Sequence, residues 1–175
     1  DFGESQPTPF IISITGSTLP CDSLSNVLYT QSFGTGTGLT TSIPPAVPGT
    51  GVLFLTGTTG YSGTILTPVS TERYTITNNA QTADASHFVS LTDHTGDANG
   101  RMLIINADAS NTKMYEGSFT SPICPNQQYS LSFYVAFVGN SDYQTLCDGF
   151  GGFVYPKILI NIKDRVSGVI ISSIS

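Results

Sequence analysis

The sequence is poor in charge, and above all in positive charge. Of its 175 residues only 6 are lysine or arginine and 12 are aspartate or glutamate, which gives a net charge of −6. Charged side chains make up 10% of the chain, against roughly a quarter in ordinary globular chains. A nucleic-acid binder needs clustered lysine and arginine to displace counterions from phosphates. The first basic residue here is Arg73, so we exclude a nucleic-acid partner.

Long apolar runs and helical patterns are missing as well. No stretch approaches the ~20 apolar residues that a membrane-spanning helix needs, so the sequence predicts no membrane span. No window repeats apolar residues at the spacing of an amphipathic helix. Serine and threonine, in contrast, number 44, beside 18 glycines and 10 prolines. This composition is typical of an all-β extracellular module rather than of a disordered chain.

The three cysteines, Cys21, Cys124 and Cys147, have no C-x-x-C spacing. Their spacing excludes a zinc site or a thioredoxin-like motif. In an oxidising compartment the natural disulfide joins Cys124 to Cys147, which flank one long predicted strand and the loop after it. Cys21 then either pairs with a partner outside this sequence or remains a buried thiol.

Alternating apolar and polar residues predict ten short strands separated by glycine, proline, asparagine and aspartate. This pattern favours an all-β fold, specifically a β-sandwich of the jelly-roll type. The predicted strands are Phe10–Ile14, Leu28–Phe33, Val52–Leu55, Arg73–Thr77, His87–Leu91, Met102–Asn106, Met114–Phe119, Tyr129–Val138, Lys157–Asp164 and Gly168–Ser173.

The predicted organisation is a lead-in segment, residues 1–27, followed by the sandwich, residues 28–175. The last residues, Gly168–Ser175, read as a strand without a closing turn. We therefore expect the sandwich to be incomplete and the chain to be part of a longer polypeptide. Residues 23–71 contain no charged side chain. They form either a long uncharged loop with a hairpin or a surface that packs on another domain or chain.

Four segments together resemble a jelly-roll domain, similar to carbohydrate-binding modules, that occurs in very large secreted surface proteins of gliding and related Bacteroidetes. The resemblance covers roughly residues 28–170, and its most specific part is the third segment. The segments are Tyr29–Gly38, Tyr74–Asn78, Asp93–Asn106 and Ile123–Phe133.

This resemblance implies a non-catalytic module of a cell-surface adhesin near its mature start, secreted by the type 9 secretion system and serving gliding motility. Its partner would be a surface polysaccharide or a neighbouring surface or secretion protein. The alternative is a purely structural spacer or cap that docks on sister domains or on the export and motility machinery.

The densest group of oxygen-bearing side chains begins at the first residue of the third segment. Calcium prefers six to eight oxygen ligands from carboxylates, amides and carbonyls, so this group is a candidate structural calcium site. The alternative is a β-turn whose side chains cap their own backbone amides. The candidate ligands are Asp93, Asp97, Asn99 and Asp108.

Sugar binding by a sandwich needs exposed aromatic rings with polar groups beside them. Tyr61, Tyr143 and Tyr155 lie in predicted loops and are candidates for stacking. The alternative is that they are ordinary loop tyrosines with buried rings. The candidate hydrogen-bonding partners of a sugar are Asn140, Asp142 and Asp148.

Two further motifs concern catalysis and glycosylation. His94 with Asp93 could form half of a catalytic dyad, but Gly60–Thr64 misses the nucleophile pattern G-x-S-x-G because Thr64 stands at the second glycine. We therefore predict no enzymatic activity. Asp22-Ser23-Leu24 fits the Asp-Ser/Thr-apolar sequon of O-glycosylation in Bacteroidetes, which makes Ser23 a candidate glycosylation site.

Overall fold

The computed structural model describes residues 10–14, 29–45, 47–48, 54–107, 112–119, 127–143, 158–164 and 166–174. Strands predominate over helix in these ranges, in agreement with an all-β class. No helix within them is long and apolar enough to cross a membrane. In chain order the elements are β1 (Phe10–Ile14), β2 (Tyr29–Thr30), β3 (Val47–Pro48), β4 (Phe54–Thr58), β5 (Ser62–Gly63), β6 (Arg73–Thr77), α1 (Ala80–Ala83), β7 (Met102–Asn106), β8 (Glu116–Phe119), β9 (Gln127–Leu131), β10 (Ile160–Lys163) and β11 (Ile170–Ile174).

The chain divides into two compact units. The first unit contains two antiparallel strand pairs, β1 with β9 and β10 with β11. The second unit contains the antiparallel pairs β2–β3 and β4–β8, the three-stranded sheet β5–β6–β7, and α1. The predicted boundary between residues 27 and 28 lies outside the described residues and stays a prediction.

Strand predictions are confirmed to the residue for β1, β6 and β7. β6 and β7 pair over five residues, from Arg73 opposite Asn106 to Thr77 opposite Met102. Thr75, Ile76 and Thr77 are each fully buried, because β6 is the central strand of its sheet. The other strands that overlap a predicted range begin or end at residues different from those predicted.

Two predicted strands are wrong over most of their length. Residues 132–138 alternate in the sequence but form no strand, and the described pairing of β9 with β1 ends at Leu131 opposite Phe10. Residues 87–91 make only an isolated bridge, between Phe88 and Gly139. An alternating pattern describes two faces of a segment, but it does not supply a neighbouring backbone with which to pair.

The core of the second unit lies against β6, β7 and α1. Its buried cluster consists of Val69, Ala80, Ala83, Phe88 and Ile104. The sequence predicts no helix at α1, because a helix of only four residues has no apolar periodicity. Asn79 starts the helix as its N-cap, because its Oδ1 accepts a hydrogen bond of 2.9 Å from the Gln81 amide.

The turn between β10 and β11 is fixed by Asp164. Its Oδ1 accepts hydrogen bonds from the Ser167 amide at 2.7 Å, the Ser167 hydroxyl at 2.8 Å and the Val166 amide at 3.1 Å. These hydrogen bonds hold the pKa of Asp164 below its ordinary value, because they favour the charged carboxylate. The hydrogen bond from the Ser167 amide has the largest effect.

We expect the β10–β11 hairpin to weaken when the solution is acidified through this lowered pKa. A carboxyl group whose pKa is lower in the folded state stabilises that state fully above the ordinary aspartate pKa of about 3.9. The stabilisation disappears as the pH falls through the folded value. NMR titration of the Asp164 carboxyl carbon measures the midpoint directly. Asp164→Asn keeps an acceptor oxygen without the titrating proton and should abolish this pH dependence. A midpoint at or above the ordinary value contradicts the expectation.

Candidate functional site

The loop proposed for calcium uses its oxygens to hold its own backbone. Asp93 Oδ1 accepts hydrogen bonds from the Thr95 amide at 3.1 Å and the Thr95 hydroxyl at 2.7 Å. Asp97 Oδ1 accepts from the Asn99 amide at 2.9 Å. These are the bonds that the capped-turn alternative predicts.

The structure brings three of the four proposed calcium ligands, Asp93, Asp97 and Asn99, into one loop, whereas Asp108 lies outside the described residues. The Asp93 carboxylate lies against buried Gly100, in the space that a Cβ atom would need there. Among the described residues, no group of three or more His, Cys, Asp or Glu side chains is placed to hold a metal ion. Calcium binding stays a prediction.

Arg101 fastens this loop to the glycine-rich segment of residues 34–38. Its amide donates to Gly34 O at 2.9 Å, its Nε donates to Gly36 O at 3.2 Å and its Nη2 to Thr37 O at 3.1 Å. The Gly36 amide donates in return to Asn99 O at 2.8 Å. The guanidinium is therefore used to position two loops of the second unit.

A second polar cluster is organised by Asp84, which is only 5% exposed. Its Oδ1 accepts from the amides of Ser86 at 3.1 Å and His87 at 3.2 Å. Its Oδ2 lies 2.9 Å from Nδ1 of the half-buried His87 ring. This aspartate–imidazole pair differs from the candidate dyad of His94 with Asp93 that the sequence offers.

Three predicted sugar-binding residues, Asn140, Asp142 and Tyr143, adjoin this second cluster. The Asn140 side chain donates to Ser86 O at 2.8 Å and accepts from the amides of Asp142 and Tyr143, each at 3.0 Å. The half-buried Tyr143 ring meets His87 edge-on, with ring centroids 6.3 Å apart. The Asn140 amide is thus committed to holding the turn together, and ligand binding by these residues stays a prediction.

The second unit also has an open groove of about 310 Å³ that combines hydroxyl groups with little apolar surface. Ile43 supplies an aliphatic side chain, and Gly57 and Gly63 line it with backbone. None of the described lining residues is charged. We call this site the threonine groove, and its hydroxyl-bearing residues are Thr41, Thr58, Thr59, Tyr61 and Tyr74.

The threonine groove forms where two segments meet along β6. β5 pairs with β6 in parallel, with Gly63 opposite Tyr74, and Thr40 bridges Ile76 farther along the same strand. Tyr74 fixes the junction, since its hydroxyl donates to Thr41 O at 2.7 Å. A Cβ atom on Gly63 would lie 2.8 Å from Thr41 Cβ and 3.2 Å from Tyr74 Cζ, so glycine is needed for this close approach.

Tyr61 lies in this groove, but not with an exposed ring. It is only 7% exposed, so at this position the structure agrees with the alternative of a loop tyrosine with a buried ring and not with a solvent-facing ring for stacking. The Thr59 hydroxyl donates to Tyr61 O at 2.9 Å and accepts from the Tyr61 amide at 3.1 Å. The Gly60 amide donates to Lys113 O at 2.8 Å. These hydrogen bonds close the turn at residues 59–61 and attach it to Lys113, and Tyr61 is buried in this arrangement.

The remaining candidate residues lie outside the described residues. They are Asp148 and Tyr155 of the sugar-binding set, the disulfide pair Cys124 and Cys147, the third cysteine Cys21, and the glycosylation candidate Ser23.

Comparison with protein-family models, with curated proteins and with solved structures found no match to this chain. Function is therefore inferred from the residues and geometry of the chain itself, and the likeness to surface adhesins remains a resemblance in motifs.

Proposed function

We propose that this chain is a non-catalytic jelly-roll module of a large secreted bacterial surface adhesin, and that it binds polysaccharide. The observation that carries the proposal is the threonine groove. Sugars present many hydroxyls that both donate and accept hydrogen bonds, and threonine and tyrosine hydroxyls have the same dual capacity. Small-ligand sites are concave and fix their ligands with a few convergent polar groups, and the groove shares these two features.

The resemblance to Bacteroidetes surface proteins supplies the biological setting, which is secretion to the outer cell surface and gliding motility. Two of its segments, Tyr29–Gly38 and Asp93–Asn106, are joined through Arg101. Tyr74–Asn78 reaches the same neighbourhood by strand pairing. Because these three segments are held together in the structure, they can form one structural motif, and this supports the proposal.

A second candidate function is a structural spacer that docks on another protein through the uncharged segment 23–71. The observation in its favour is that Ile65 and Leu66 in this segment are 63% and 73% exposed. Large exposed apolar side chains that lie side by side are common at protein interfaces.

A binding and turnover experiment separates these functions. We expect the purified chain to bind immobilised bacterial surface polysaccharide and to leave soluble polysaccharide uncleaved, since no carboxylate lies among the described lining residues of the groove. Surface plasmon resonance measures binding, and mass spectrometry of the soluble fraction detects released saccharides. Released products would make the chain an enzyme. Failure to bind polysaccharide, with tight association to a partner protein that Leu66→Ser abolishes, would favour the spacer.

A further inference from the structure

We infer that the threonine groove selects uncharged, hydroxyl-rich sugar units and rejects acidic ones, an inference that rests on the proposed function because it names the class of polysaccharide. Two observations carry it. Some hydroxyl groups of the groove remain available to a ligand, and the basic residues Lys113 and Arg73 do not offer it a positive charge.

Four of the five hydroxyl-bearing residues of the groove divide into two sets. Thr59 and Tyr74 are engaged internally, because the first donates to Tyr61 O and the second to Thr41 O. The hydroxyls of Thr41 and Thr58 make no hydrogen bond to another described residue. Thr58 is exposed and Thr41 is half-buried. These two side chains can therefore donate to and accept from a ligand without breaking an existing bond.

None of the described residues that line the groove carries a positive charge that could compensate a negative one. Lys113, whose backbone oxygen accepts from Gly60, has its ammonium group 2.6 Å from the Glu116 carboxylate. Arg73 precedes Tyr74 in β6, and successive strand residues point to opposite faces of a sheet. An acidic sugar would thus find no cation among the described lining residues, so no ionic contact there would offset the hydration that it loses on binding.

The dimensions suit a short stretch of a sugar chain. A volume of about 310 Å³ is near the lower end of small-molecule sites, which span roughly 300–1,000 Å³. Gly63 and Thr58 are exposed, so the groove is open to solvent beside both residues.

The test uses an array of immobilised neutral oligosaccharides beside uronic-acid and sulfated counterparts of equal length. We expect binding to neutral members and at least tenfold weaker binding to their acidic counterparts. Thr58→Val and Thr41→Val remove one hydroxyl each at nearly constant shape, and each should weaken binding roughly 2- to 10-fold. Thr92→Val removes an exposed hydroxyl outside the groove and should leave binding unchanged. Circular dichroism verifies that each variant is folded.

The outcomes separate this inference from the proposed function. Binding to acidic members alone overturns the inference and leaves polysaccharide binding intact. Neutral binding that neither valine substitution weakens also overturns it, because the ligand would then lie elsewhere. If no member of the array binds, the proposed function itself fails.

Discussion

Replacing Gly57 by alanine is expected to lower the free energy of unfolding by about 1–3 kcal/mol, the usual cost of overpacking a filled site. Gly57 is buried in β4, and a Cβ atom there would overlap the phenol ring of Tyr115. That ring is held on two sides. Its hydroxyl donates to Gln31 Oε1 at 2.7 Å, and its edge meets Phe33 with ring centroids 6.0 Å apart. The added methyl group can enter only by displacing the ring.

Urea unfolding or thermal melting measures this effect, and 1 kcal/mol corresponds to roughly 2–4 °C in Tm for a chain of this size. A double-mutant cycle identifies the cause. In a Tyr115→Ala background the ring is gone, so Gly57→Ala should cost much less than in the natural sequence. Thr58→Ala, at the exposed neighbouring position, is the control for altering β4. Equal costs in both backgrounds would contradict the described packing of Gly57 on Tyr115.

Asp84→Ala should destabilise the chain by about 2–3 kcal/mol. The carboxylate is buried and accepts from the amides of Ser86 and His87. Its removal leaves donors unsatisfied, and an unsatisfied buried donor costs about 1–3 kcal/mol. The His87 ring also loses its contact with Asp84 Oδ2 and should become more mobile beside Tyr143.

Chemical unfolding of Asp84→Ala and Asp84→Asn tests this account. Asparagine keeps an acceptor oxygen for the two amides, so its cost should be less than half that of alanine. Asp142→Ala removes an exposed aspartate whose backbone amide, not its carboxylate, is bonded to Asn140, and it should have little effect. Identical losses of stability for the alanine and asparagine variants at position 84 would show that the hydrogen bonds from the Ser86 and His87 amides do not contribute to stability.

Local patterns were sufficient for the parts of the fold that depend on near neighbours. β6 and β7 were predictable because each is a short run of residues that favour β-strands, bounded by residues that favour turns. The capped turn at Asp93–Asn99 was predictable as an alternative because an Asp or Asn side chain bonds an amide two residues onward. α1 was not predictable, since four residues contain little more than one helical turn.

The threonine groove could not be predicted, because its residues are far apart in the sequence. Thr41 and Tyr74 come together through the Thr40–Ile76 bridge and the hydrogen bond from the Tyr74 hydroxyl to Thr41 O, while Thr58 comes from β4 and Gly63 from the parallel β5–β6 pair. No periodic pattern encodes these contacts. The sequence left the burial of Tyr61 open as one of two alternatives, because the glycines beside it fit a loop equally well whether or not it packs closely. Here Gly60 and Gly63 permit close packing against Thr112 and Thr41.

The central claim is that ligand binds in the threonine groove, and NMR mapping with a neutral oligosaccharide tests it most directly. We expect chemical-shift changes in the amides of Thr41, residues 57–63 and Tyr74, increasing to saturation as the sugar is titrated. The other candidate site, at Asn140–Tyr143, should not respond. Changes centred on Asn140–Tyr143, with an unperturbed groove, would contradict the account.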